Sequence, residues 1–195
     1  MNKRDLLAGA AAAGLASAAW AAAPGRPSGA RPGLLTVSGD VGRVNRGPFD
    51  PVRDQMMGKH GIAFSRAWVF DAPALRRLPA RTIEPTVEYD GKKHRLSGPL
   101  LADVLAAAGV NAGDGVQLAL RAVDGYAAPV ALAEALQWRM IVALDMDGTP
   151  LELGGLGPQW AVYEADTLAA FRDKPLHERF AACPWGLYSI EVRRG

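Results

Sequence analysis

Cys183 is the only cysteine in this 195-residue chain. No internal disulfide is therefore available, and the fold must hold by packing alone even in an oxidising compartment. The three histidines, His60, His94 and His177, stand far apart in sequence and share no zinc-ligand spacing. Aromatic residues are scarce at 7%, against 22 glycines and 14 prolines, which points to many turns and short elements rather than a bundle of long helices. Charge of either sign is nearly balanced, at +2 net. Without a dense basic run interleaved with aromatics, the composition argues against a nucleic-acid partner. There is no G-x-S-x-G, Walker or G-x-G-x-x-G sequence, so no serine-hydrolase elbow, P-loop or dinucleotide fingerprint is at hand. Beyond the first residues no apolar run is long enough to span a bilayer, so the mature chain is expected to be soluble.

What is present begins with a targeting pattern. Lys3-Arg4 is a short positive region, Leu6–Ala19 an Ala/Leu-rich apolar one, and Ala19-Trp20-Ala21 an A-x-A cleavage site. Residues 1–21 thus read as a signal peptide, 22–33 as a Pro/Gly/Ala-rich flexible leader, and 34–195 as one domain. The run Asn2-Lys3-Arg4-Asp5-Leu6-Leu7 resembles a twin-arginine export motif with Lys in place of the first Arg, and the expected location is the periplasm. At 49% hydrophobic and 22% charged, the remainder has globular composition and can bury a sizeable core.

Along that domain, the patterns predict strands at 34–44 (bent or broken at Gly39 and Gly42), 65–70, 116–121, 140–144, 160–163 and 188–192. Helices are predicted at 52–60, 71–78 with Asp71 as cap, 131–137, and 166–171 with Asp166 as cap. The central stretch is Arg81–Gly109. Ile83, Val87 and Tyr89 alternate with Thr82, Glu84, Thr86 and Glu88, and Asp90-Gly91 signals a two-residue hairpin. That hairpin would set Glu88 opposite Lys93 and Thr86 opposite Arg95. Pro85 cannot donate to a ladder, so the strand belongs at a sheet edge or is bulged there. Ser97/Gly98 then read as the cap of a helix with Pro99 in its first position, a buried stripe of Leu100, Leu101, Val104, Leu105 and Ala108, and Gly109 as its end. Strands and helices mix without a βαβ repeat, which makes the fold class α+β.

Two motifs invite a reaction and do not support one. Asp145-Met146-Asp147-Gly148-Thr149 after an apolar strand matches a phosphatase nucleophile motif, yet no doubly wound sheet or acidic pair follows, so a hairpin turn with two solvated aspartates is expected. Gly154–Pro158 is glycine-rich but opens no helix, and reads as a turn. His94, beside Lys92, Lys93 and Arg95, is expected on a solvated face, and Cys183-Pro184-Trp185 as a buried small hydrophobe with its neighbours.

The order of motifs resembles the oxidoreductase molybdopterin-binding domain, the catalytic fold of sulfite oxidase, in its short exported bacterial members. The pieces are Leu35–Val41, Leu75–Pro79, Asp90-Gly91 leading to Ser97–Leu105, Asp124-Gly125-Tyr126, Ala143–Leu151 and Gly157-Pro158-Gln159-Trp160. They run from about residue 34 to 192. The resemblance implies a mixed-sheet α+β fold and a molybdopterin-dependent oxidoreductase acting on a small molecule, with a redox partner. It implies a cofactor cleft beside the 81–89 strand, with Thr82, Glu84, Thr86, Asp124, Tyr126 and Trp160 as lining residues. Full enzymes of the family ligate molybdenum through a cysteine on that strand, and 81–89 contains none. The family's cofactor arginine after the Gly-Pro loop is matched by neither Gln159 nor Trp160. A non-catalytic periplasmic ligand-binding or sensory module that retains the fold is the alternative expectation.

Overall fold

The protein is described by a computed structural model over residues 31–113 and 115–194. The expected signal peptide and the leader up to residue 30 lie outside the described residues. The chain opens with β1 (Leu35–Gly39), α1 (Gln55–Lys59), β2 (Ala67–Phe70) and α2 (Ala72–Arg76). Asp71 caps α2 as expected, its carboxylate accepting the Ala74 N–H at 2.8 Å, with Pro73 in the first turn. Next come β3 (Ala80–Ile83), β4 (Leu96–Pro99), α3 (Leu101–Ala107), β5 (Val116–Ala122), β6 (Ala127–Ala131) and α4 (Leu132–Gln137). The chain ends with β7 (Ile141–Ala143), β8 (Asp145–Met146), β9 (Thr149–Pro150), β10 (Trp160–Val162) and β11 (Leu187–Arg194).

The largest sheet has the order β2-β1-β11-β5-β6. β1 and β11 run parallel and every other pairing is antiparallel, so the sheet is mixed and the fold is α+β. The last strand thereby sits at the centre, clamped between the first and the fifth. A second sheet, β3-β4-β8-β9, puts β3 at an edge, as Pro85 requires. The β7–β10 pair lies between, with Leu100 bridging to Ile141 and the Leu144 N–H donating to the Ser97 carbonyl. One apolar core joins these layers through Leu35, Val37, Leu96, Leu101, Leu120, Ile141, Trp160 and Ile190. Each such side chain contributes about 1.5–3 kcal/mol on burial. A smaller cluster of Met57, Ile62, Phe64, Ala67 and Tyr188 packs with Phe49 and Val123.

Three local expectations are corrected. Ser97, Gly98 and Pro99 form strand, not helix cap. β4 pairs with β3 and β8, and α3 begins after Leu100, which offers no capping side chain. Gly98 is required because a Cβ there would lie 1.9 Å from the Val142 carbonyl oxygen, so β4 and β7 approach backbone to backbone. The hairpin register also differs, since Thr86 bridges Lys93 rather than Arg95 and Ile83 pairs with Leu96. The Val87 N–H donates to the Lys92 carbonyl and the Gly91 N–H to the Val87 carbonyl, so the loop is the four residues Glu88–Gly91. Asp166 caps no α-helix, because only a 3-10 turn forms at Ala165–Thr167 and the carboxylate is engaged elsewhere.

The two motif aspartates do form a hairpin turn, with Asp147 and Gly148 at φ 52° and 81°. They are bound rather than merely solvated. Asp145 takes a two-pronged contact from Arg76 at 2.8 and 2.9 Å. Asp147 Oδ2 lies 2.6 Å from His94 Nδ1, while Asp90 Oδ2 lies 3.0 Å from Nε2 of the same ring. His94 therefore joins the β3–β4 loop to the β8–β9 turn.

Candidate functional site

A cleft of ≈270 Å³ opens where four chain segments converge. Glu88 and Tyr89 come from the β3–β4 loop, Asp124 and Tyr126 from the β5–β6 turn, and Trp160 from the start of β10. The fourth wall is the segment before β11, with His177, Phe180, Cys183 and Trp185.

Local chemistry fixes much of this lining. The Tyr126 N–H donates to Asp124 Oδ1 at 2.9 Å, closing the turn that presents both residues. The Tyr126 hydroxyl donates to the Ala181 carbonyl at 2.6 Å, which holds its ring as a wall. Trp160 is buried and its indole N–H donates to the Cys183 carbonyl at 2.8 Å. Phe180 leans on Trp160 with ring centroids 6.1 Å apart, and also faces Tyr163 at 6.3 Å. Behind them Tyr163 stacks on Phe171 at 4.4 Å, and burial raises the Tyr163 phenol pKa above its ordinary value. The rings at the back of the cleft thus rest on a packed aromatic layer.

Asp166 connects two walls. Its Oδ2 accepts from the Thr86 N–H at 2.7 Å and from the Thr86 hydroxyl at 2.8 Å, while Oδ1 accepts from Arg179 at 2.8 Å. Thr86 stands two residues before Glu88, and Arg179 lies between His177 and Phe180.

Of the residues singled out from sequence, Asp124, Tyr126 and Trp160 line the cleft together. Thr82 and Glu84 are exposed and do not line it; Thr86 does not line it either but ties it to Asp166. The reason is geometric. β3 ends at Ile83, Pro85 and Val87 turn into the core, and the cleft begins only at the tip of the loop. The lining residues singled out from sequence did not include Glu88, Tyr89 or the 177–185 wall. The aromatic pair around Cys183 just before the final strand is the one signal that pointed there.

Cys183 is buried, as its surroundings in sequence implied, and it is also the cleft's only thiol. Burial pushes that thiol up to about 12, so it is protonated at neutral pH and is a poor nucleophile. Among the described residues no group of three or more His, Cys, Asp or Glu side chains stands together as a metal site. No helix among them is long and apolar enough to cross a membrane. The Gly154–Pro158 segment is a turn, with Gly155 and Gly157 N–H groups donating to the Glu152 carbonyl. No family model matches this sequence, and no curated protein matches it.

Proposed function

We propose that the chain is an exported, non-catalytic ligand-binding module. It keeps a sulfite-oxidase-type architecture and holds a small organic molecule in the cleft between the β3–β4 loop and the 177–185 segment. The observation that carries this reading is the lining itself. Five aromatic side chains, Tyr89, Tyr126, Trp160, Phe180 and Trp185, surround a space with two carboxylates and one protonated thiol. Such a surface grips a ring and offers no activated nucleophile.

These residues do not fit the molybdenum cofactor that the family resemblance implies. Its metal takes a soft thiolate, but the 81–89 strand where the family carries it has no cysteine, and Cys183, the one thiol at the cleft, is buried in the opposite 177–185 wall. Its phosphate calls for a cationic partner, and among the described residues no lysine or arginine lines the cleft. Gln159, at the expected arginine's place, is fully buried, and its amide donates to the carbonyls of Leu34 and Leu187 at 2.8 and 2.6 Å. It joins the start of β1 to that of β11 and has no reach toward a ligand. No reaction step is assigned through that cofactor. Export, and with it a periplasmic location, rests on residues 1–21.

Protein isolated from its native envelope, or from a host competent in molybdenum-cofactor synthesis, provides the test. The expected result is no stoichiometric molybdenum by elemental analysis and release of a small ring compound, a metal-free pterin included, on denaturation. Stoichiometric molybdenum with its pterin would overturn the reading.

A further inference from the structure

The cleft's composition specifies a ligand more narrowly than size alone. Its ≈270 Å³ falls just below the range of about 300–1,000 Å³ that drug-sized molecules occupy, so one or two fused rings fill it. Among the described residues Tyr89 and Tyr126 are the only exposed Phe, Trp or Tyr side chains, at 57% and 48%, and both stand in this cleft. Exposed rings cost free energy unless something covers them, and two such rings at one mouth mark a binding surface. Tyr126 cannot swing away, because its hydroxyl is tied to the Ala181 carbonyl. Flat walls held in place select a flat occupant.

Charge selects its edge. Glu88 and Asp124 enter from opposite segments, and no lysine or arginine among the lining residues neutralises them. Asp124 uses Oδ1 for the Tyr126 N–H, and its Oδ2 accepts no hydrogen bond from the described residues. A carboxylate oxygen in that position takes N–H donors, and the faces of tyrosine and tryptophan attract positive charge. An anionic ligand would meet two like charges, and no lysine or arginine among the lining residues offsets them.

We infer that the ligand is a flat, nitrogen-rich ring that carries amino or amidine-like N–H donors along one edge and is cationic or readily protonated. The ring lies against Tyr89 and Tyr126, and its donor edge faces Glu88 and Asp124. This inference rests on the binding-module reading and narrows it to a ligand class.

Three small probes separate the alternatives, each titrated into the full exported chain while intrinsic tryptophan fluorescence is followed, to which Trp160 and Trp185 at the cleft contribute. The probes are 2,4-diaminopyrimidine, benzoate and tetramethylammonium. Saturable quenching by 2,4-diaminopyrimidine alone, weakened about tenfold or more in Glu88→Gln and in Asp124→Asn, is the expected result. Equal binding of tetramethylammonium overturns the flat-ring requirement. Binding of benzoate instead overturns the donor edge and leaves the module reading intact. No saturable response to 2,4-diaminopyrimidine at millimolar concentration overturns the ligand class. Stoichiometric molybdenum in the isolated protein overturns the module reading itself, whichever probe binds. The wild-type probe series does not depend on either variant folding.

Discussion

Removing the Asp166 carboxylate should loosen two walls of the cleft at once. In Asp166→Ala, three hydrogen bonds of 2.7 to 2.8 Å disappear, two from Thr86 and one from Arg179. Hydrogen bonds to a charged acceptor contribute about 1.5–3 kcal/mol each when fully buried. Here the Asp166 and Arg179 side chains are 21% and 20% exposed, so water recovers part of that loss. Arg179 also keeps a second partner, its Nε donating to the Lys174 carbonyl at 2.8 Å. The part-buried Thr86 N–H and hydroxyl carry most of the cost. The total comes to about 3 kcal/mol for Asp166→Ala and about 1 kcal/mol for Asp166→Asn, whose amide oxygen can still accept from Thr86. Against a typical stability of about 5–15 kcal/mol that is a large fraction. Urea unfolding reads it as a lower midpoint at unchanged slope. Thr86→Val, which removes the hydroxyl and keeps the shape, should then cost far less in the Asp166→Ala background than in the wild type. A loss below about 0.5 kcal/mol for Asp166→Ala, or strict additivity of the two substitutions, would refute the tie.

Two further perturbations test the frame around the cleft. Gly98→Ala should destabilise by about 3 kcal/mol or more, because the new methyl meets only backbone, at 1.9 Å from the Val142 oxygen and 2.9 Å from the Ala143 Cα; an unchanged melting temperature would show that β4 and β7 are not in that contact. His94 has its pKa raised by its hydrogen bond to Asp147 and then by that to Asp90. The stability it adds is therefore whole below its unfolded pKa of about 6.5 and is lost as pH rises through the raised folded value. The stability difference between wild type and His94→Gln should shrink as pH rises above about 6.5, and a pH-independent difference would sink the clamp.

Much of the architecture was legible because several signals agreed at each place. The Asp71 cap with Pro73, the alternation of Val116, Leu118 and Leu120, and the Asp124–Tyr126 turn each found their element close to where the pattern set it. The errors come from contacts between distant parts of the chain. Ser97-Gly98-Pro99 carries the signature of a helix start, yet Gly98 answers to the Val142 backbone, 44 residues away. The two Asp-Gly pairs show the limit of a dipeptide as evidence. Asp147-Gly148 places both residues at positive φ and closes a two-residue turn. At Asp90-Gly91 only the glycine does so, at 68°, and the loop widens to four residues. The resulting register differs by two positions from the expected one. A slip of two leaves every side chain on its original face, so alternation of Ile83, Pro85 and Val87 against Thr82 and Glu84 is the same in both registers.

That same slip decides which residues of the hairpin can meet a ligand. With a two-residue turn, Glu88 and Tyr89 would be ladder residues with partners across the strand. With four, they become the tip, free of the ladder and able to face the 177–185 segment. The polar face at Thr82 and Glu84 then lies too far back along the strand to take part, and Thr86 serves through Asp166 instead. Cys183, about a hundred residues from the hairpin in sequence, arrives at the cleft because β11 is drawn into the centre of the main sheet, beside β1 and β5. The segment just before a central strand has to cross the sheet's end, and in this chain it carries Phe180, Cys183 and Trp185 with it. The resemblance implies a metal cysteine on the 81–89 strand for full enzymes, this chain has none there, and the one thiol at the cleft comes from the other wall. Burial pushes its pKa up and sets it among the rings of that wall.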